Sequence, residues 1–413
     1  MTIKRSSIVI AFALGLLLTA CGPGLPEDQE QYSPLHRILL WHAWEGESAE
    51  ALDQLLIKFM TVYPGIRVVQ RPFSIKNDSD LRAFKAMFYD RARMGLGPDL
   101  MIAPVSLELE FAEAGVLQEL SGYYVETTVY LSTAVKQLRI GDELYALPLS
   151  LYTRVLYYNK ELVSEPPTTL DGLLSQAAEG KRVALGTGFA EAFWGIQAFG
   201  GQLYDEQGQL ALDQGGFADW LDWLRTAQKS PGMILSDDDD FLALSFMNGE
   251  AAYYVGEVAS LPSIQEHLGE DGIGVAPLPA GPSGPSGPML HCEALMFSTA
   301  SSSAQTEQAL LLAQFLTNAE QQTKLAQQIG KVPVHIQARN EVDPRLSPIV
   351  AAFVVQTKTA VAVPNIPQLF TVMTYGGEAY DQVLEGVLEP RKAADQLVKR
   401  VKAMSAWSSP AGQ

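Results

Sequence analysis

LHRILLWHAWEGESAEALDQLLIKFMTVYPGIRVVQ, residues 35–70, switches from one periodicity to another and back. Ile38-Leu39-Leu40-Trp41 is a short apolar run of buried-strand type. Ala51, Leu52, Leu55, Leu56, Phe59 and Met60 then recur at helical spacing, and Pro64-Gly65 ends that helix. Ile66–Val69 reads as a second strand, Leu81–Met94 as a second helix and Asp99–Ala103 as a third strand. Strand, helix, strand, helix, strand with short links predicts a parallel sheet covered by helices.

A second unit begins near Tyr145. Arg154–Tyr158, Arg182–Leu185, Ala251–Val255 and Ile273–Ala276 look like strands, and Phe217–Gln228 and Phe241–Met247 look like helices. Pro277–Pro288 carries two Gly-Pro-Ser repeats, too few for a collagen helix, and reads as a surface loop. After Leu295 the pattern turns helical, with Gln305–Leu316, Glu320–Ile329, Phe370–Leu388 and Ala393–Met404 as the candidates.

Upstream of both units, Lys4 and Arg5 precede the apolar run Ile8–Leu18, and Leu18-Thr19-Ala20-Cys21 follows. A positive head, a dozen apolar residues and a small-residue site make an export signal too short to span a bilayer. Gly22–Ser33 is polar, contains prolines and reads as a tether. The net charge is −18, and losing Lys4 and Arg5 with the signal makes it −20. Such acidity excludes a nucleic-acid reader. Apart from Cys21 the only cysteine is Cys292, so packing, not an internal disulfide, must stabilise the mature chain.

Leu-x-Ala-Cys resembles the lipobox of bacterial lipoproteins, which implies that Cys21 carries lipid. Further landmarks resemble the extracellular solute-binding proteins that feed sugars to ABC importers. These are Trp41–Glu45, Tyr63–Val68, Gly97–Leu100, Ala114–Leu117, Tyr145–Pro148, Leu156–Lys160, Pro167–Leu170, Asn248–Ala252 and Gly274–Pro279, in that order. Pro364-Asn365-Ile366-Pro367-Gln368 is similar to a segment of maltose-binding members.

The resemblance implies an α/β, two-lobe periplasmic-binding-protein-like fold with an interlobe cleft and hinge crossings near Leu149–Thr153, Met289–Leu295 and residues 340–350. It divides the chain into a signal at 1–20, a tether at 21–34 and a tail at 406–413. The first lobe takes 35–150 with about 296–345, and the second 151–295 with about 346–405. It further implies a sugar ligand (an oligosaccharide or glycoside), ABC permease subunits as partners, membrane attachment through Cys21, a monomer, and no enzyme activity, cofactor, metal or nucleic acid. A binding protein that signals to a sensor kinase and an exported carbohydrate-active enzyme are the alternatives.

A sugar needs flat apolar faces for its C–H side and paired hydrogen-bonding groups for its hydroxyls. By resemblance, the expected ligand contacts are Trp44, Glu45, Ser106, Tyr152, Arg154, Trp194, Glu257, His291, Glu293 and Tyr375. The pocket departs from that of maltose-binding members. Aligned through Gly97-Pro98-Asp99, their ligand-facing Trp, Asp and Arg fall on Ala103, Ser106 and Leu107, and their late Trp and Arg on Met373 and Gly377. Asp237–Asp240 lacks the spacing of a calcium loop and is expected to cap the helix that follows.

Overall fold

The computed structural model describes residues 36–408, apart from Leu346, Pro364, Asn365 and Pro367. The export signal, Cys21 and the tether lie outside the described residues, as does most of the 364–368 motif.

The strands of the first half are β1 (His36–His42), β2 (Ile66–Pro72), β3 (Leu100–Pro104), β4 (Arg139–Ile140), β5 (Glu143–Leu144), β6 (Ala146–Tyr152) and β7 (Arg154–Asn159). Those of the second are β8 (Val183–Gly186), β9 (Met233–Ser236), β10 (Tyr253–Glu257), β11 (Ile273–Ala276), β12 (Met289–Phe297), β13 (Val332–Pro333) and β14 (Val361–Ala362). The first sheet runs β13-β6-β12-β3-β1-β2, with β14 beside the start of β12, and the second runs β11-β7-β10-β8-β9. β1, β2 and β3 are parallel, as their helical links require, whereas β12 is antiparallel to both β3 and β6.

Asp99 explains why Gly97-Pro98-Asp99 stands before β3. Its buried carboxylate accepts the Leu39 N–H of β1 at 2.7 Å and the Ser301 hydroxyl at 2.6 Å. Trp41 is fully buried and packs on Phe73, Phe84 and Phe88 in the first-lobe core. The second-lobe core centres on Trp194, Trp220, Phe189, Phe217 and Tyr380. Gly376 lets helix Gln368–Leu384 lie on that core, because a Cβ there would enter the Phe189 ring.

Three passages between the sheets precede the return of the chain at β14 to the start of β12. β6 leads into β7 through Thr153, whose hydroxyl donates to the Met289 carbonyl at 2.8 Å and so ties the first passage to the second. The third passage joins helix Ile336–Glu341, packed by β13, to helix Pro348–Gln356, packed on β11 and β7. Asp238 caps helix Asp239–Met247 by accepting the Phe241 N–H at 3.0 Å, the role expected of that acidic run. The predicted helix Phe370–Leu388 is displaced toward the N-terminus: it starts at Gln368 and ends at Leu384, ahead of Gly386 at φ 76°.

Candidate functional site

The site is built where strands of the two sheets end and the crossings meet. Trp44 follows β1 after a tight turn in which its N–H donates to His42 Nδ1 at 3.2 Å. The indole is 6 % exposed, and its Nε1 donates to Glu293 Oε1 at 2.6 Å. Glu293 Oε2 accepts from Ser150 Oγ at 2.9 Å and from Lys331 Nζ at 2.8 Å. Lys331 Nζ also lies 4.4 Å from the Trp44 ring centroid. Burial alone would raise the Glu293 carboxyl, but the Lys331 ammonium and the indole and hydroxyl donors outweigh it and hold the acid below its ordinary value.

Glu293 sits at an irregularity in the ladder. The pairing steps from Glu293↔Ser150 to Ala294↔Pro148, so Leu149 is the extra residue. The freed Leu149 carbonyl accepts Gln322 Nε2 at 2.7 Å. That local kink brings Ser150 beside the acid. Both oxygens of Glu293 are thereby engaged by protein donors, which makes it the residue that orients Trp44 and Lys331.

Across the crossing, Arg154 opens β7 opposite Glu257, the last residue of β10. The guanidinium is 7 % exposed and faces three carboxylates: Glu191 at 3.4 Å, Asp239 at 3.4 Å and Glu257 at 3.7 Å. It also donates to the Val255 carbonyl at 3.2 Å. Burial opposes its charge, and the three acids more than offset that. Burial raises the Glu257 carboxyl, Arg154 pulls it down, and Asp239 and Glu191 push it up again; the net is upward. One cation against three acids leaves this end of the site acidic.

Tyr152 and His291 bridge the two halves as register partners of β6 and β12, with rings stacked at 5.1 Å. Among the described residues neither side chain has a hydrogen-bond partner. Burial, reinforced by the Arg154 charge, lowers His291 to about 4, so the imidazole is neutral at physiological pH. Next to His291 opens a cavity of about 490 Å³. Val105, Ser106 and Leu109 line it from the first lobe, and Leu369, Phe370 and Met373 from the second.

Two expected contacts fall elsewhere. Trp194 is fully buried, its ring 4.8 Å from Trp220, and belongs to the second-lobe core. The aromatic at a helix start marks packing there, not the cleft. Tyr375 lies under the Arg400 guanidinium, 3.7 Å from its ring centroid, on the helix face turned toward the C-terminal helix. Met373, two residues earlier, occupies the cavity face instead. Glu45 is exposed and stands at the N-cap of helix Gly46–Val62 without a side-chain cap bond, and Ser106 is exposed at the cavity.

Lys331, Ser150, Glu191, Asp239, Leu109 and Phe370 join the site without having been singled out from sequence. For Lys331 a signal existed: an acid inside the apolar run Met289–Phe297 must find a donor, since an unpaired buried charge is costly. Nothing local in the sequence says which cation supplies it.

The two-lobed α/β fold with a cleft at the crossings defines a class. Residues 93–352, more than half of the chain, match the bacterial extracellular solute-binding proteins, and the chain belongs to that family. It is similar to a maltotriose-binding protein of Pyrococcus abyssi (strain GE5 / Orsay), 26 % identical over 84 % of this chain and 78 % of that one. A maltooligosaccharide ABC transporter solute-binding lipoprotein of Streptococcus pneumoniae serotype 4 is 22 % identical over 96 % of both. Among solved structures, a maltose-binding periplasmic protein of Listeria monocytogenes in complex with maltose superposes with a TM-score of 0.78 at 21 % identity, covering 91 % of this chain and 100 % of that one. That likeness shows the fold.

Proposed function

We propose that this chain is the sugar-binding subunit of an ABC importer, held at the outer face of a membrane by lipid on Cys21. The family membership, and relatives that are themselves binding proteins for maltotriose and maltooligosaccharides, support the reading. The observation that carries it is the seam of the cleft. There an aromatic, a neutral imidazole and an ion-paired cluster (Tyr152, His291, and Arg154 with Glu257) lie within one surface bounded by both sheets. The ring faces offer stacking to a sugar's C–H side, and Tyr152, His291 and the carboxylates offer donors and acceptors to its hydroxyls. Glu45 and Ser106 are exposed at the first-lobe side and complete the polar rim in this reading.

The proposed residue division is 35–150 with about 296–345 against 151–295 with about 346–405, except that Tyr152 and β12 (Met289–Phe297) pair within the first-lobe sheet. Closure would turn about the three passages. A thermal-shift screen against mono-, di- and oligosaccharides tests the reading. A cognate sugar at about 100 times its Kd adds roughly 2.7 kcal/mol of stability, and a flat response across the panel would reject it. Cys21→Ser tests the anchor: membrane association and lipid labelling should be lost together.

A further inference from the structure

The cavity beside His291 does not have the lining that a bare sugar asks for. Seven of its eleven lining residues are apolar, and only one of the seven, Phe370, is aromatic. Of the polar minority one member is committed and the rest stand at the edge of the space. The Glu110 carboxylate pairs with Lys85 and accepts the Tyr89 hydroxyl at 2.7 Å, and Glu113 and Ser106 stand exposed at the rim. Leu369, Phe370 and Met373, at helical spacing on helix Gln368–Leu384, aim one apolar stripe into the space, facing Val105 and Leu109. Phe370 is 80 % exposed. A hydroxyl buried against that wall would go unpaired, at a free-energy cost, whereas an apolar group there leaves water with a gain.

The wall is continuous with the polar seam, because His291 lines the cavity and stacks on Tyr152. We infer that the ligand is amphipathic: a glycoside whose hydroxylated part sits at Tyr152, Arg154 and Glu257 and whose neutral alkyl or aryl aglycone fills the wall of Leu109, Leu369, Phe370 and Met373. The rim carboxylates of Glu110 and Glu113 disfavour an anionic substituent. This rests on the reading of the chain as a sugar binder and adds a subsite to it.

The test compares maltose, maltotriose, lactose and cellobiose with their hexyl glycosides, each below its micelle concentration, by titration calorimetry on the purified protein. For a sugar that binds, the hexyl glycoside should bind at least tenfold more tightly than the parent, and Phe370→Ser with Met373→Ser should collapse that ratio toward one. The neutral fluorophore N-phenyl-1-naphthylamine should light up in the wild type and be displaced by the hexyl glycoside. A parent sugar that binds while its hexyl glycoside gains nothing overturns the aglycone subsite and leaves the sugar reading intact. A gain that survives the double substitution also overturns it. If no sugar binds, plain or alkylated, both readings fall.

Discussion

Trp44 Nε1 donates to Glu293 Oε1 at 2.6 Å, joining the end of β1 to the second crossing strand over 249 residues of sequence. The bond fixes the plane of the indole within the buried first-lobe core, and Lys331 covers one face of it. Trp44, Ser150, Glu293 and Lys331 all belong to the first-lobe sheet or its margins. The node therefore sets up the first lobe's contribution without help from the second.

Removing one donor from a three-donor acceptor costs less than removing the acceptor. Trp44→Phe should lower folding stability by about 1 kcal/mol. Glu293→Leu strands the indole N–H and the Lys331 charge together and should cost about 3 kcal/mol, near the lower end for a broken buried pair because Lys331 keeps some solvent. Trp44→Ala opens a cavity in the core and should cost about 3–5 kcal/mol. Urea melts of the three variants check the order.

The ionisable residues of the seam titrate with opposite signs. Glu293 is depressed in the folded state, so its stabilisation is present above its unfolded pKa of about 4.3 and is lost as pH falls through the folded value. Glu257 is raised, so its contribution is greatest at low pH and is lost as pH rises through the folded value. His291, lowered to about 4, contributes above its ordinary 6.5 and loses that as pH falls toward 4. His291→Asn should flatten the stability profile between about pH 6.5 and 4, and Glu257→Gln should raise stability at neutral pH relative to acid. Chemical denaturation across that range reads both.

Much of the scaffold was legible because local chemistry dictates it. The β1 run, the helix ended by Pro64-Gly65 and the acidic cap at Asp238 all depend on neighbours within a few positions. The strand pair Tyr152–His291 falls on segments already read as crossings, and Arg154 on a strand, whereas Glu257 lies two residues past the strand read as Ala251–Val255. What escaped was direction. Trp194 and Tyr375 are aromatics whose place is decided by Trp220 and Arg400, partners 26 and 25 residues away on other helices. Lys331 reaches Glu293 only because β13 pairs with β6 and β6 with β12.

Gly376 offers a check on the second lobe alone. Gly376→Ala places a methyl where the Phe189 ring lies, so the helix must move off the core. The expected cost is about 1–3 kcal/mol. Gly377→Ala on the same helix meets open space and should be neutral or slightly stabilising, since alanine suits a helix better. Thermal melts of the pair isolate the contact from helix propensity.

Arg154 carries the last prediction. Among the described residues its guanidinium is the only cation paired with Glu191, Asp239 and Glu257, and each of those side chains is roughly a third exposed. Arg154→Met therefore leaves three acids, Glu191 beyond β8, Asp239 beyond β9 and Glu257 at the end of β10, with nothing to oppose them. A buried pair broken from one side costs about 3–5 kcal/mol, and partial solvation of the acids places the loss toward the lower figure. Glu257 would then answer by binding a proton. With the cation gone the Glu257 carboxyl, which Arg154 otherwise pulls down, rises further, so the variant regains stability as pH falls and loses it as pH climbs through the raised value. The gap between wild type and Arg154→Met should be wide at pH 8 and narrow at pH 5. Adding Glu257→Gln to Arg154→Met should recover part of the loss at pH 8, because one of the mutually repelling charges is removed. Arg154→Lys keeps the charge but cannot reach three acids and a carbonyl at once, so it should fall between the parent and Met. Urea midpoints of the four proteins at the two pH values decide it. A gap independent of pH would mean that Arg154 serves by packing its alkyl stem, not by balancing the acids of the cleft.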